Sequence, residues 1–421
     1  MSTVSPGLRL RAVSPVMSRA WASASAPTDR AVRQRLGWIW GLLLFDVLTY
    51  AKGPDNLVPL PSALGKALTE GALGVALVLA LTLNKRLLVR RNVLLVLCTC
   101  LCASAAVMSF RGYFGIGSMT RWLRYFGFVS VLWLITPWWG RADLLLCRFH
   151  RRALAFVLGS VLVGLLVSPH RAFAAAGGGR LGGTLWPIPP TQVAHYAAVF
   201  TGLTVVMWLG GVGTSRWTGP AVLGGMAVLV LTHTRTALLA LLIGTLVGGL
   251  SLFLTRRRVR KALSLALVVL AIGLFSFAPF LSSWFTRGES SQELTNLTGR
   301  TTTWSALLAA PRTEVNTLFG YGMSNDSYDG LPIDSSWLST YLDQGLVGDV
   351  LDGLVLLTLL AVAVASPAGP RRAVALFLVV YCGVATYTET GLGQPSTYLL
   401  DLAVAMSVLM APLRVPELRP H

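Results

Sequence analysis

The sequence predicts an all-α, polytopic integral membrane protein of about twelve transmembrane helices, with a large extracytoplasmic helical loop between spans nine and ten. Three observations carry this. Hydrophobic types make up 54% of the 421 residues and charged types only 12%, about half the charge that covers a soluble domain. Mean hydropathy is +0.65. The apolar residues gather in runs approaching twenty residues, the length a helix needs to cross a bilayer core. A soluble enzyme and a disordered chain are both excluded.

The candidate spans are 36–51, 67–83, 93–110, 122–139, 153–168, 193–210, 220–233, 237–255, 262–280, 345–366, 373–389 and 397–412. The seventh is short, and its separation from the eighth rests on the polar stretch Thr232–Thr236. Trp38, Trp40, Trp122, Trp138, Trp139 and Trp208 fall near span ends, where interfacial aromatics belong. Residues 1–35 are rich in Ser, Ala, Pro and Arg with no apolar run, so they read as a disordered cytoplasmic tail and not as a secretory signal. Residues 36–412 form a single bundle that includes the loop 281–344, and 413–421 form a cytoplasmic C-terminal tail.

The net charge is +18, from 35 Lys+Arg against 17 Asp+Glu. Such a balance also raises nucleic acid as a partner, but most of the basic residues fit a different rule. With both termini in the cytoplasm, the clusters within 85–91, 141–152, 256–261 and 371–372 all fall on the cytoplasmic side, as the positive-inside rule requires. The protein is therefore expected in the inner (cytoplasmic) membrane, with the lipid bilayer as a partner and nucleic acid as none.

Metal chemistry finds little support. Cys98, Cys100, Cys102, Cys147 and Cys382 lie in or beside apolar runs and read as small hydrophobes. The five His (150, 170, 195, 233, 421) are scattered, with His150 and His421 in expected cytoplasmic segments. The sequence has no phosphate-binding P-loop and no dinucleotide fingerprint. No metal and no cofactor are expected.

The loop 281–344 reads as an ordered cap. Thr301–Ala310 is a short helix stopped by Pro311, Gly320-Tyr321-Gly322 is a turn, and Ser335–Asp343 is a second short helix with Trp337, Leu338, Tyr341 and Leu342 on one face. Several basic residues remain outside the cytoplasmic set, and together they suggest an anionic ligand on the outer face. Arg235 stands among threonines between two apolar runs, where a charge is costly and tends to be functional; a snorkelling helix-end Arg is the plain alternative. Arg300 opens the helix 301–310, whose free N–H groups favour an anion, unless it is a solvated loop residue. Arg180 sits in a glycine-rich run that permits close approach of a ligand. Arg121 and Arg124 share a helix face at the edge of span four and could equally anchor the rim. Asp334 reads either as an N-cap or as a carboxylate general base opposite the arginines.

These residues come in a suggestive order: Gly179-Arg180 with Gly183, then Thr234-Arg235-Thr236, Gly299-Arg300 with Trp304, Gly320-Tyr321-Gly322, Asp334-Ser335-Ser336-Trp337-Leu338, and Asp343-Gln344-Gly345-Leu346-Val347-Gly348. In that order and spacing the chain resembles the O-antigen ligase / O-antigen polymerase superfamily of bacterial envelope glycosyltransferases. Ligases of that family typically carry His-Asn where this chain has Asp334-Ser335, which points to the polymerase-like branch. The resemblance implies a glycosyltransferase that takes a polyprenyl-pyrophosphate-linked glycan as donor and a saccharide hydroxyl as acceptor on the outer face, metal-independent and inverting. It implies a pyrophosphate held by Arg180, Arg235 and Arg300, with Arg121 and Arg124 at the rim, and a proton accepted by Asp334. A transporter or flippase for an anionic or lipid-linked solute is the alternative, and a non-catalytic assembly scaffold the third reading.

Overall fold

The computed structural model describes residues 26–48, 50, 57–58, 61–111, 113–141, 143–174, 179–212, 216–253, 255–262, 264–265 and 300–411. Their regular structure is helical apart from one two-stranded ribbon. In chain order the helices are α1 (Ala26–Asp46), α2 (Ser62–Leu83), α3 (Val93–Phe110), α4 (Ile116–Ile135), α5 (Leu145–Val167), α6 (Pro169–Ala174), α7 (Pro190–Leu209), α8 (Thr218–Leu231), α9 (Arg235–Phe253), α10 (Arg300–Ala309), α11 (Glu314–Phe319), α12 (Ser336–Ala365), α13 (Pro370–Ala385) and α14 (Thr397–Leu409). The ribbon pairs β1 (Ser327–Tyr328) with β2 (Leu331–Pro332) antiparallel, Tyr328 opposite Leu331.

Eleven of the expected spans coincide with one of these helices; the ninth, 262–280, lies almost wholly outside the described residues. Six described helices are long and apolar enough to cross a membrane: α2, α3, α5, α7, α9 and α12. Helices α8 and α14 are apolar but shorter. Helix α13 has 16 residues, and α1 begins ten residues before the expected span, taking in Arg30, Arg33 and Arg35. That part of the expected tail is therefore helical, and Arg33 is paired with Asp143 at 2.8 Å. The part of the tail before Ala26 and the C-terminal tail lie outside the described residues.

Helix α7 lies at the centre of the packing. Residues on all its faces are buried, among them Val193, Tyr196, Ala198, Leu203 and Val206, as befits a helix that is apolar all round. It packs against α5, α8, α9 and α13. His195 on α7 and His150 on α5 meet there through Asp401 of α14, at 3.1 and 2.7 Å. Trp40 donates its indole N–H to His150 Nδ1 at 3.2 Å, and the Tyr381 hydroxyl meets His195 Nδ1 at 3.2 Å. His150 thus belongs to a buried network inside α5 and not to a cytoplasmic loop. Residues far apart in sequence are brought together by five helices.

The bundle has two distinct ends. At one, the Arg90 guanidinium donates to the carbonyls of Trp139 and Ala411, both at 2.8 Å. There Gly140 N donates to Ser407 O and Arg371 donates to Gly140 O. These are segments expected in the cytoplasm. At the other end lie the start of α9, the start of α12 and the α13–α14 connection, covered by α10, α11 and the ribbon.

Two corrections concern the cap. The expected second short helix, Ser335–Asp343, runs on into the tenth span as one 30-residue element, α12, interrupted at Gly345 (φ 64°, ψ −161°). The interruption frees the carbonyls of Leu342 and Asp343, which accept from Tyr321 N and Gly322 N at 2.9 Å each. The turn around Gly320 (φ 71°) and the break at Gly345 interlock so closely that a Cβ on either would lie within 2.5 Å of the other strand's backbone. The second correction is the N-cap of α12, which is Ser335 and not Asp334.

Candidate functional site

Four segments converge at the capped end. The first is the extended chain after α6. Leu181 N donates to Leu231 O and Gly182 N to Ala172 O, which pins the preceding Arg180. Its guanidinium donates from Nε to Thr232 O at 3.0 Å and from Nη2 to Thr234 Oγ1 at 3.1 Å. The second segment is the break it binds, between α8 and α9. Helix ends leave carbonyls without an intrahelical donor, and Arg180 supplies one. His233 in the break has φ 50°, and Arg235 is the first residue of α9.

The third segment is α10 with the strand of chain before α12. Arg300 opens α10, and its Nε donates to Asp334 Oδ2 at 3.1 Å. Trp304, one turn on, donates its indole N–H to Ile333 O at 2.6 Å. Asp334 has φ 45°. A left-handed non-glycine residue stores strain, and such residues cluster at functional sites.

The fourth is the α13–α14 connection. Ser336 N donates to Thr386 O at 3.0 Å and Ser336 Oγ to Glu389 O at 2.8 Å. Thr388 Oγ1 donates to Thr236 Oγ1 at 2.8 Å, next to Arg235. Tyr387 meets the Trp304 ring edge-on, centroids 5.8 Å apart. Glu389 therefore sits where all four segments meet. Burial pushes its carboxyl up to about 7; Arg300 and Arg180 pull the other way, and Asp334 adds to the rise. Both arginines and Asp334 thus act electrostatically on one buried carboxyl.

The six residues expected from the sequence do not form one cluster. Arg180, Arg300 and Asp334 lie near enough to Glu389 to act on its charge, and Arg235 adjoins Arg180 through its backbone position beside Thr234. Arg121 is reached only through a neighbouring group: its Nε donates to Met323 O at 3.0 Å, and its charge bears on Asp343 and on Asp326, which in turn acts on Asp334. Asp326 is held by Ser339 Oγ at 2.5 Å and Gln394 Nε2 at 2.8 Å; burial raises its pKa. Arg124 leans toward α1, donating Nε to Asp46 Oδ1 at 2.9 Å and Nη2 to the Asp46 carbonyl. That ion pair has a packing role between α4 and α1. Among the described residues, no group of three or more His, Cys, Asp or Glu is arranged to hold a metal ion.

A family model described as O-antigen ligase matches residues 220–351. The match covers about a third of the chain, and over it the chain is similar to O-antigen ligases. The matched O-antigen ligase segment holds the α8–α9 break, Arg235, Arg300, Asp334 and the Gly345 interruption, whereas Arg180 and Glu389 complete the cluster from outside it. The match fits a membrane protein, since six described helices are long and apolar enough to cross a bilayer. No curated protein matches the chain.

Proposed function

We propose that the chain transfers or polymerises a polyprenyl-pyrophosphate-linked glycan onto a saccharide hydroxyl at the outer face of the cytoplasmic membrane. The observation that carries this reading is the pairing of Arg300 with Asp334 at one end of the bundle where Arg180 is fixed at the α8–α9 break, both arginines close enough to act on Glu389. The donor's leaving group is a diphosphate. Two fixed guanidinium groups suit it, because they can bind phosphate oxygens in bidentate fashion and stabilise charge as it develops.

In the reaction the acceptor oxygen bonds to the anomeric carbon while the bond from that carbon to the diphosphate oxygen breaks. The electron pair leaves on the diphosphate, held by Arg180 and Arg300, with Arg235 at the same helix break. The acceptor's proton goes to Asp334. Diphosphate binding draws Arg300 away from Asp334 and leaves the carboxylate ready to accept that proton. Attack from the face opposite the leaving group inverts the anomeric centre. The arginines supply the positive charge that a divalent metal supplies in other glycosyltransferases, so the reaction is expected to survive chelator. On this reading the Arg90 end of the bundle faces the cytoplasm.

The test is incubation of purified protein with polyprenyl-pyrophosphate oligosaccharide, with and without chelator, followed by mass analysis. Elongated or transferred glycan is expected in both. Near-normal product from both Arg180→Ala and Arg300→Ala would overturn the mechanism. A flippase draws some support from the discontinuous helix α12; lipid scrambling in liposomes without covalent product would decide for it.

A further inference from the structure

We infer that Tyr113 and Tyr321, braced by Arg312, form a saccharide-stacking platform on the capped face, which holds the glycan beyond the sugar that reacts. This rests on the proposed transfer reaction and assigns a subsite to it. Tyr113 lies in the α3–α4 connection and is 68% exposed. Its ring does not stand alone. It meets the Tyr321 ring with centroids 4.6 Å apart and the Phe114 ring at 4.9 Å. Behind Tyr321 lies Arg312, whose guanidinium carbon is 5.4 Å from the Tyr321 centroid and 4.1 Å from that of Tyr341. Arg312 Nη1 also donates to Tyr341 O at 3.2 Å. Among the described residues Arg312 Nε and Nη2 have no hydrogen-bond partner; the guanidinium lies over the two rings, and its charge also bears on Asp349.

The platform is fixed to the reacting centre. Tyr321 N donates to Leu342 O and Gly322 N to Asp343 O, which ties the turn to α12. Tyr321 and Tyr341 pack on the small core of Leu307, Ile333 and Leu342, and Ile333 directly precedes Asp334. Tyr341, which Arg312 joins to Tyr321, lies about 9 Å along α12 from Ser335, the residue after Asp334, at 1.5 Å per residue. An aromatic face is electron-rich and apolar, and it suits the C–H face of a pyranose.

The experiment uses the full chain in lipid nanodiscs. The probe is lipid-free oligosaccharide released by mild acid from the host's own surface polysaccharide, with binding followed by saturation-transfer NMR. Inorganic pyrophosphate is titrated separately. Wild type is expected to bind the oligosaccharide. Tyr113→Ala is expected to weaken that binding roughly five- to tenfold, the size of one aromatic contact, and Tyr113→Phe to restore it. Pyrophosphate affinity stays unchanged in both variants. Equal oligosaccharide binding by wild type and Tyr113→Ala overturns the platform, and so does no binding by wild type. A variant that loses only thermal stability or bilayer retention marks Tyr113 as an interfacial anchor, which also overturns it. Failure of wild type to bind pyrophosphate counts instead against the proposed reaction.

Discussion

At the scale of single residues the site is a balance of four charges. Arg300→Ala and Arg180→Ala are each expected to lower transfer at least about 100-fold, the usual loss when a preorganised donor to developing charge is removed, with expression and membrane insertion intact. Arg300→Lys should not rescue, because a point charge cannot reproduce the planar fork. Asp334→Asn should cause a comparable loss, and Asp334→His should retain part of the activity; full activity in Asp334→Asn would remove its role as base. Glu389 sets a pH dependence. Below about 7 it is neutral, and the set Arg180, Arg300, Asp334 carries net positive charge. Above about 7 it is anionic and opposes an anionic donor. Affinity for inorganic pyrophosphate should therefore fall as pH rises through 7 relative to Glu389→Gln, a ratio that cancels the titration of pyrophosphate itself. The linkage has the same sign for folding: the carboxyl is raised from its usual 4.5, so its stabilisation is full below that value and is lost as pH rises through about 7. Arg180, Arg300 and Asp334 were legible in the sequence because a charge in a glycine-rich or apolar setting stands out. Glu389 is not, since it closes the apolar run 373–389 and reads as the end of that span. A lone acid at the end of such a run is the signal that could have found it. Arg121 and Arg124 share a face by spacing, yet Met323 O and Asp46 draw them to different neighbours, and partners of that kind cannot be read from periodicity.

At the scale of elements the decisive device is the interruption of α12. Helical periodicity runs on both sides of Asp343-Gln344-Gly345, so the sequence suggests two helices and a boundary there. The boundary is real, but the chain continues through it with one residue in a conformation that is nearly glycine-only. Gly345 and Gly320 both adopt it, and a Cβ at Gly345 would lie 2.4 Å from the Leu318 carbonyl carbon. Gly345→Ala and Gly320→Ala should each cost at least about 2 kcal/mol, from the conformation alone plus the clash, read as a fall in melting temperature in detergent. Gly353→Ala is the control: it lies in the regular part of α12, where an added methyl meets only the Trp337 ring at 4.0 Å. It should be neutral or slightly stabilising, because Ala outranks Gly in a helix interior. Equal melting temperatures for Gly345→Ala and Gly353→Ala would show that the interlocked turn does not hold the cap. Most helices were legible because an apolar run of span length can satisfy its backbone in lipid only as a helix. The short helix α11 and the ribbon were not, since six residues and two pairs leave too little pattern to read.

For the whole molecule, the question is what fixes the relative positions of helices that are separately apolar. Apolar faces pack against each other hardly better than against lipid tails, so polar contacts within the bundle carry specificity. Here that role falls to the network of Trp40, His150, Asp401, His195 and Tyr381, one residue from each of five helices, with both members of the His150–Asp401 pair wholly buried. The protons can be placed. The Trp40 N–H occupies His150 Nδ1, so the proton of that imidazole sits on Nε2 and faces Asp401. The second Asp401 oxygen faces His195 Nε2, and Tyr381 holds the far side of that ring. Removing Asp401 strands His150 Nε2 in the core and takes away the carboxylate beside His195 Nε2. Breaking a buried pair by deleting one partner costs about 3–5 kcal/mol, so Asp401→Ala should lower the melting temperature sharply and release α14 from α5 and α7. Asp401→Asn keeps an oxygen for the His150 N–H and an amide for His195, and it should lose much less. Because the site is assembled by the connection between α13 and α14, Asp401→Ala should also lower transfer although no donor atom comes near it, while Asp401→Asn keeps most of the activity. Detergent melting curves paired with transfer assays on the two variants check this; indistinguishable melting of Asp401→Ala and wild type would mean that surrounding apolar packing alone positions these helices.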